Sequence, residues 1–167
     1  MPTEPAENLT SDGVDVKLFW DRERGGSDIA IAGDGALASD DSLETSVILS
    51  IFSDARRLPS QPSVDIEGRK GGWWGQSIAL DNPEDEWGSR IWLLDGKLTD
   101  ETLLNAQDAV EKSLEWITRE NIASSVTVTV DSEILAPATP MMVVNVDVRR
   151  GDVLLLARRY RYVWEDR

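Results

Sequence analysis

The tightest constraint on this chain lies near its C-terminal end, where MMVVNVDVRR (141–150) and VLLLARRYRYVW (153–164) flank the dipeptide Gly151-Asp152. Two β-rich runs on either side of a turn signal make a long hairpin. In the second run the even positions, Leu154, Leu156, Tyr160, Tyr162 and Trp164, form an apolar and aromatic face interrupted by Arg158. Arg159 and Arg161 fall on the odd positions. So long and apolar a strand exposes unpaired main-chain groups along its edge unless something covers them. Two readings stay open. Either the arginines are ordinary edge protection, or an edge that includes Leu155, Arg159 and Arg161 receives a strand from another chain by β-augmentation. On the second reading, the local excess of arginine favours an acidic incoming segment.

Upstream of the hairpin, TDETLLNAQDAVEKSLEWITREN (99–121) predicts the longest helix. Thr99 caps it, Asp100 and Glu101 sit in the first turn, and Leu103, Ala106, Val110, Leu114 and Ile117 recur at helical spacing. Asn121 ends it. SSVTVTV then alternates Val126, Val128 and Val130 against Thr127 and Thr129, a half-buried strand, and DSEILAPATP (131–140) reads as a loop. Nearer the N-terminus, VDVKLFW (14–20) reads as a strand and DRERGGSD as a turn. IAIAGDGALAS (29–39) reads as a hairpin with Gly33-Asp34-Gly35 at its tip. A second main helix is predicted over DDSLETSVILSIFSDARR (40–57), with Ser42 or Asp41 as N-cap. Leu43, Val47, Ile48, Ile51 and Phe52 share one face of it, and Arg56-Arg57 close its C-terminal end, where cations suit the helix dipole. GSRIWLL (88–94) reads as a short helix. The expected fold is α+β: a single domain with a mixed or antiparallel sheet, two main helices and a C-terminal β-hairpin.

Residues 58–88 show no clear periodicity and contain Pro59, Pro62, Pro83 and the stretch GGWWG. A loop this long is either functional or disordered, and its aromatic content favours order. Adjacent residues in an extended segment point opposite ways. One of Trp73 and Trp74 then packs on the body while the other faces a partner; alternatively both cover the domain's own core. Each ring buries up to ~150–250 Å².

Composition removes several kinds of chemistry. The 167 residues suit one domain, and 41% hydrophobic content describes a soluble globular protein. No apolar run approaches the ~20 residues of a membrane-spanning helix. Residues 1–12 are acidic and polar, unlike a signal or transit peptide, and are expected to form a flexible tail before a domain over 13–167. There is no cysteine and no histidine, so disulfides, a Cys nucleophile, a Ser-His-Asp triad and a His- or Cys-ligated zinc are excluded. A net charge of -14 argues against nucleic acid and anionic membranes as partners. The charge is uneven: residues 1–100 carry 20 acidic and 9 basic side chains, whereas residues 141–167 carry 4 and 6. Asp81, Glu84, Asp85 and Glu86 lack the order of a calcium loop. GDG (33–35) and RKGGWWG lack the Gly-Lys-Ser/Thr of a phosphate loop. No cofactor, metal or catalytic residue is expected.

LETSVILSIFSDARR, GGWWG, GSRIWLL, the capped helix ending SLEWI and SSVTVTV occur in that order. Together they resemble the phage Mu-like tail protein family, a branch of the sheath-initiator, baseplate-wedge proteins of contractile tails. The resemblance covers about residues 14–164. Gly88, Ser89 and Leu93-Leu94 match the wider family's Gly-Ser…Leu-Leu segment, and Trp116 matches the tryptophan closing its long helix. Where that family often continues with a wedge-contacting Glu-Pro-Arg, this chain has Ile117-Thr118-Arg119, leaving Arg119 as a weak substitute. The resemblance implies a structural protein without a reaction, present in several copies of a ring-like tail baseplate and assembled in the host cytoplasm. Its implied partners are the baseplate wedge proteins and the tail sheath protein. Taken with the loop and strand readings above, the candidate contact residues are Trp73, Trp74, Gly88, Ser89, Arg90, Trp92 and Arg119, together with Leu155, Arg159, Tyr160, Arg161 and Tyr162 of the last strand. The rival readings are a cell-wall glycosidase, which needs two placed carboxylates, and a free-standing small adaptor.

Overall fold

Thr99 and Asn121 bracket a helix as their chemistry requires. The computed structural model describes residues 15–21, 25–40, 43–58, 71–72, 87–94, 96–135 and 138–164. In it helix α2 runs Asp100–Arg119. The Thr99 hydroxyl accepts the Thr102 N–H at 3.2 Å, and Asn121 takes a left-handed φ of 59° just past the end. Ala106, Val110, Leu114 and Ile117 are buried and Leu103 is half-buried, as their spacing predicts.

That stripe packs on a three-stranded antiparallel sheet of order β5-β6-β7, formed by β5 Ser125–Leu135, β6 Thr139–Arg150 and β7 Val153–Val163. Directly opposed residues share a face. Val128 on β5, Met142, Val144, Val146 and Val148 on β6, and Leu156 and Tyr160 on β7 therefore form one apolar surface. Helix α1, Glu44–Phe52, adds Val47, Ile48 and Ile51 to the same core. Two further antiparallel pairs precede it: β1 Asp15–Val16 with β4 Ser39–Asp40, and β2 Leu18–Asp21 with β3 Gly26–Ile29. The Thr45 hydroxyl ties this N-terminal unit to α1, accepting the Leu18 N–H at 3.0 Å and donating to the Val16 carbonyl. The tip of the predicted 29–39 hairpin forms across an Ile31–Leu37 bridge. The fold is α+β, with two main helices and the long C-terminal hairpin.

Four details depart from the sequence reading. The run 14–20 is not one strand: it breaks at Lys17, whose N–H donates to Ala38 and whose carbonyl accepts from Ala30. Helix α1 stops at Phe52, with Leu43 as N-cap and no side-chain cap bond, so Arg56-Arg57 lie beyond it. The cause is long-range pairing. Ser53 becomes extended, and Ser53–Ala55 bond alongside Gly88–Ser89, with Ser89 N–H on Ser53 O at 2.9 Å and Ala55 N–H on Ser89 O at 2.8 Å. Third, Asp131–Leu135 is strand rather than loop, because β6 offers it a complete ladder as far as Thr139. Fourth, an irregularity beside Val148 opposes Leu154 to Arg149 and Leu156 to Val148, leaving Leu155 as the extra residue of a bulge. Leu154 therefore leaves the core face.

Candidate functional site

The candidate residues Gly88, Ser89, Arg90 and Trp92 form a knot at the end of α1. Buried Ser89 donates its hydroxyl to the Ile51 carbonyl at 2.5 Å and accepts the Ile91 N–H at 3.4 Å. It thereby joins the last turn of α1 to a single 3-10 turn, Ile91–Leu93. Gly88 has φ +96, and a Cβ there would stand 2.5 Å from the Ser53 carbonyl oxygen. Trp92 donates its indole N–H to the Ala55 carbonyl at 2.8 Å. Gly71, from the GGWWG stretch, packs so closely that a Cβ would strike the Trp92 ring and the Ala55 carbonyl. Gly72 N–H bonds Asp54 O at 2.9 Å. Glycine recurs in this region because the chains approach within backbone contact. Arg90 sits at the rim, with its Nε on the Arg56 carbonyl at 3.3 Å, and partial burial lowers its pKa from the ordinary value. The knot borders a groove of about 290 Å³ against α2, lined by Leu93, Leu94, Asn105, Asp108 and Lys112 among others.

Trp116 faces inward from α2, its indole N–H on the Ser50 hydroxyl at 3.1 Å, and so clamps the two helices together. Arg119, in the last turn of α2, is exposed and lies 3.9 Å from Glu120. Trp73 and Trp74 lie outside the described residues, as do Asp81, Glu84, Asp85 and Glu86. Among the described residues no three acidic side chains form a metal-binding group.

The arginines of β7 are engaged by carboxylates from distant segments. Arg158 grips Glu44 of α1 through two bonds, at 2.8 and 2.7 Å. On the opposite face Glu133 of β5 takes Arg161 Nε at 3.0 Å and also bonds Arg159. These pairs span the central strand, above Met141 and Val143, which are 2% and 0% exposed. Tyr160 and Tyr162 belong to an aromatic cluster with Phe52 and Trp20: Tyr160 meets Trp20 edge-on at 5.5 Å, and Tyr162 stacks on Phe52 at 6.1 Å. The Tyr160 hydroxyl is buried with no hydrogen-bond partner among the described residues. Burial pushes its pKa above the usual phenol range, Glu44 adding to the shift and Arg158 opposing it.

Strand β6 is paired on both sides, so the free edge of the hairpin is that of β7. Part of it is closed. The Trp20 indole donates to the Arg161 carbonyl at 3.2 Å, and Gly25 sits against Arg161 O and Val163 N. Main-chain groups alternate in direction along an antiparallel strand. The Arg161 carbonyl faces outward, so Ala157 and Arg159 also present their N–H and C=O outward. Among the described residues no strand pairs with them, although the Ala157 carbonyl accepts the Arg158 Nη1–H at 3.0 Å. Sequence reasoning missed Glu44, Glu133, Asp147 and Trp20 here. Continuing the 126–130 alternation through Ile134 would have put Glu133 on the same face as Thr127 and Thr129.

With this geometry in place, the likeness to known proteins becomes specific. A family model described as phage protein GP46 matches residues 43–153, from the start of α1 to the start of β7. The chain is 38% identical over 117 residues to the baseplate protein gp46 of Escherichia phage Mu, covering 69% of this chain and 75% of that one. It is 30% identical over 151 residues to the Mu-like prophage FluMu protein gp46 of Haemophilus influenzae, covering 90% and 97%. The chain belongs to the phage GP46 family, whose Mu-like members these two relatives represent.

Proposed function

We propose that this protein is a structural component of the baseplate of a contractile phage tail. It sits in the tail in several copies, linking wedge proteins to the first ring of the sheath. The baseplate assignment is supported by the name of the phage Mu relative. The observation that carries the sheath contact is the open stretch of β7, where Ala157 and Arg159 turn their main chain outward beside the closed Arg161. Main-chain bonding along such an edge gives affinity with little demand on side-chain identity. The wedge contact falls to the surface around the knot, where Arg90 and Lys112 border the groove, and to Arg119 in the last turn of α2. Gly88, Ser89, Trp92 and Trp116 hold that surface in place from within. No catalytic step enters this reading.

The test is sheath polymerisation on purified baseplates carrying proline at Ala157 or Arg159, with circular dichroism to establish folding. A proline removes one outward N–H and clashes with an added strand. Sheath-bearing baseplates are expected to fall about tenfold or more, the loss of roughly one to two main-chain bonds. Arg159→Ala is expected to change little. Normal nucleation by both folded proline variants would place the sheath contact elsewhere.

A further inference from the structure

The arginines of β7 suggest an acidic partner only while they are read along the sequence. In the structure Arg158 is held by Glu44, and Arg159 and Arg161 by Glu133. Asp131, Glu133 and Asp147 share the outer face of the sheet with Arg149, Arg159 and Arg161, which leaves that face formally neutral. The protein as a whole carries -14. Nothing on this face therefore draws in an acidic strand.

Asp147 is the charge that matters at the open stretch. It is exposed and stands directly opposite Ala157, and among the described residues it makes no ion pair. Ala157 is small, so only a methyl group separates this carboxylate from the outer edge. The two residues line a shallow depression with Asn145, Arg158 and Arg159. Arg159 lines that space but its guanidinium is bonded to Glu133, whose β6 partner Met141 faces Val163 at the closed end of β7. The position of an added strand is also limited. The Trp20 bond and Gly25 stop it at Arg161, and the bulge at Leu155 ends regular pairing on the other side. A residue of the added strand opposite Ala157 lies roughly 10 Å from the backbone of Asp147, two strand spacings. The combined reach of a lysine or arginine and an aspartate covers that distance.

Resting on the reading of β7 as the sheath-binding edge, we infer that the received strand is basic rather than acidic. It places a lysine or arginine over Ala157, and that cation pairs with Asp147. The added residue is flanked by Leu154 and Arg159 on the same face, so Asp147 is the one carboxylate it meets there.

The experiment measures binding of the cognate sheath protein to purified baseplates that carry Asp147→Asn, Asp147→Lys or, as a control on the edge itself, Ala157→Pro. Circular dichroism establishes that each variant is folded. Asp147→Asn is expected to weaken binding about threefold and Asp147→Lys about tenfold, consistent with an exposed pair lost and then reversed. Both losses should shrink as salt is raised. If Ala157→Pro blocks binding while Asp147→Lys leaves it unchanged or tighter, the edge reading stands and the basic-strand inference is overturned. If Ala157→Pro has no effect, the edge reading fails and this inference fails with it, whatever the Asp147 variants do.

Discussion

The knot around Ser89 and the edge of β7 are built from opposite uses of the same backbone chemistry. In the knot the sequence is distinctive, with a glycine pair, a Gly-Ser step and a tryptophan, and the polar groups described there find partners within the chain. Along β7 between Leu155 and Arg159 the arginines turn to carboxylates within the chain, and among the described residues no strand pairs with the outward main chain, whose Ala157 carbonyl meets the Arg158 guanidinium. The difference teaches that the residues most recognisable in this family member hold the fold, whereas the edge proposed for assembly is backbone with no sequence signature. The span matched by the family model contains the knot and stops at Val153, where β7 begins.

If that division is right, substitutions in the knot cost stability and substitutions on the edge cost assembly. The largest stability effect is expected for Gly88→Ala, which forces a Cβ against the Ser53 carbonyl at a positive φ. A loss of about 3–4 kcal/mol in urea denaturation is expected, and a loss below 1 kcal/mol would break the comparison. Ser89→Ala leaves the buried Ile51 carbonyl without its hydroxyl donor. It should cost about 1–3 kcal/mol in the same assay. Trp92→Phe removes the indole bond to Ala55 together with the part of the ring that packs on Gly71, and should cost about 1–2 kcal/mol. On the β7 side, Arg159→Ala should stay within about 1 kcal/mol, since its pair with Glu133 is partly exposed. Tyr160→Phe sharpens the contrast from inside the sheet. The buried hydroxyl has no partner among the described residues, so its removal should be neutral or stabilise by up to about 1 kcal/mol.

Local chemistry was legible wherever the deciding contacts are near in sequence. Thr99 and Asn121 fixed α2, the Gly151-Asp152 turn fixed the last hairpin, and Asp34 with Gly35, whose φ is +86, fixed the small one. The end of α1 was not legible, because the segment that unwinds it, Gly88–Ser89, lies more than thirty residues away. The same holds for Arg158 and Glu44, which only tertiary packing brings together. The bulge at Leu155 inverted Leu154, since one extra residue moves a side chain to the other face. The extension of β5 to Leu135 escaped notice because the polar run Asp131-Ser132-Glu133 interrupts the apolar alternation that marked Val126 to Val130.

Amide hydrogen exchange at single-residue resolution addresses the edge most directly, comparing the free protein with sheath-bearing baseplates. In the free protein the N–H groups of Ala157 and Arg159 should exchange fast, while that of Tyr160, which faces β6, exchanges slowly. On baseplates bearing sheath, the Ala157 and Arg159 amides should become as slow as Tyr160, because an added strand bonds them. If those two amides are already slow in the free protein, or stay fast once the sheath is assembled, the edge does not receive the sheath.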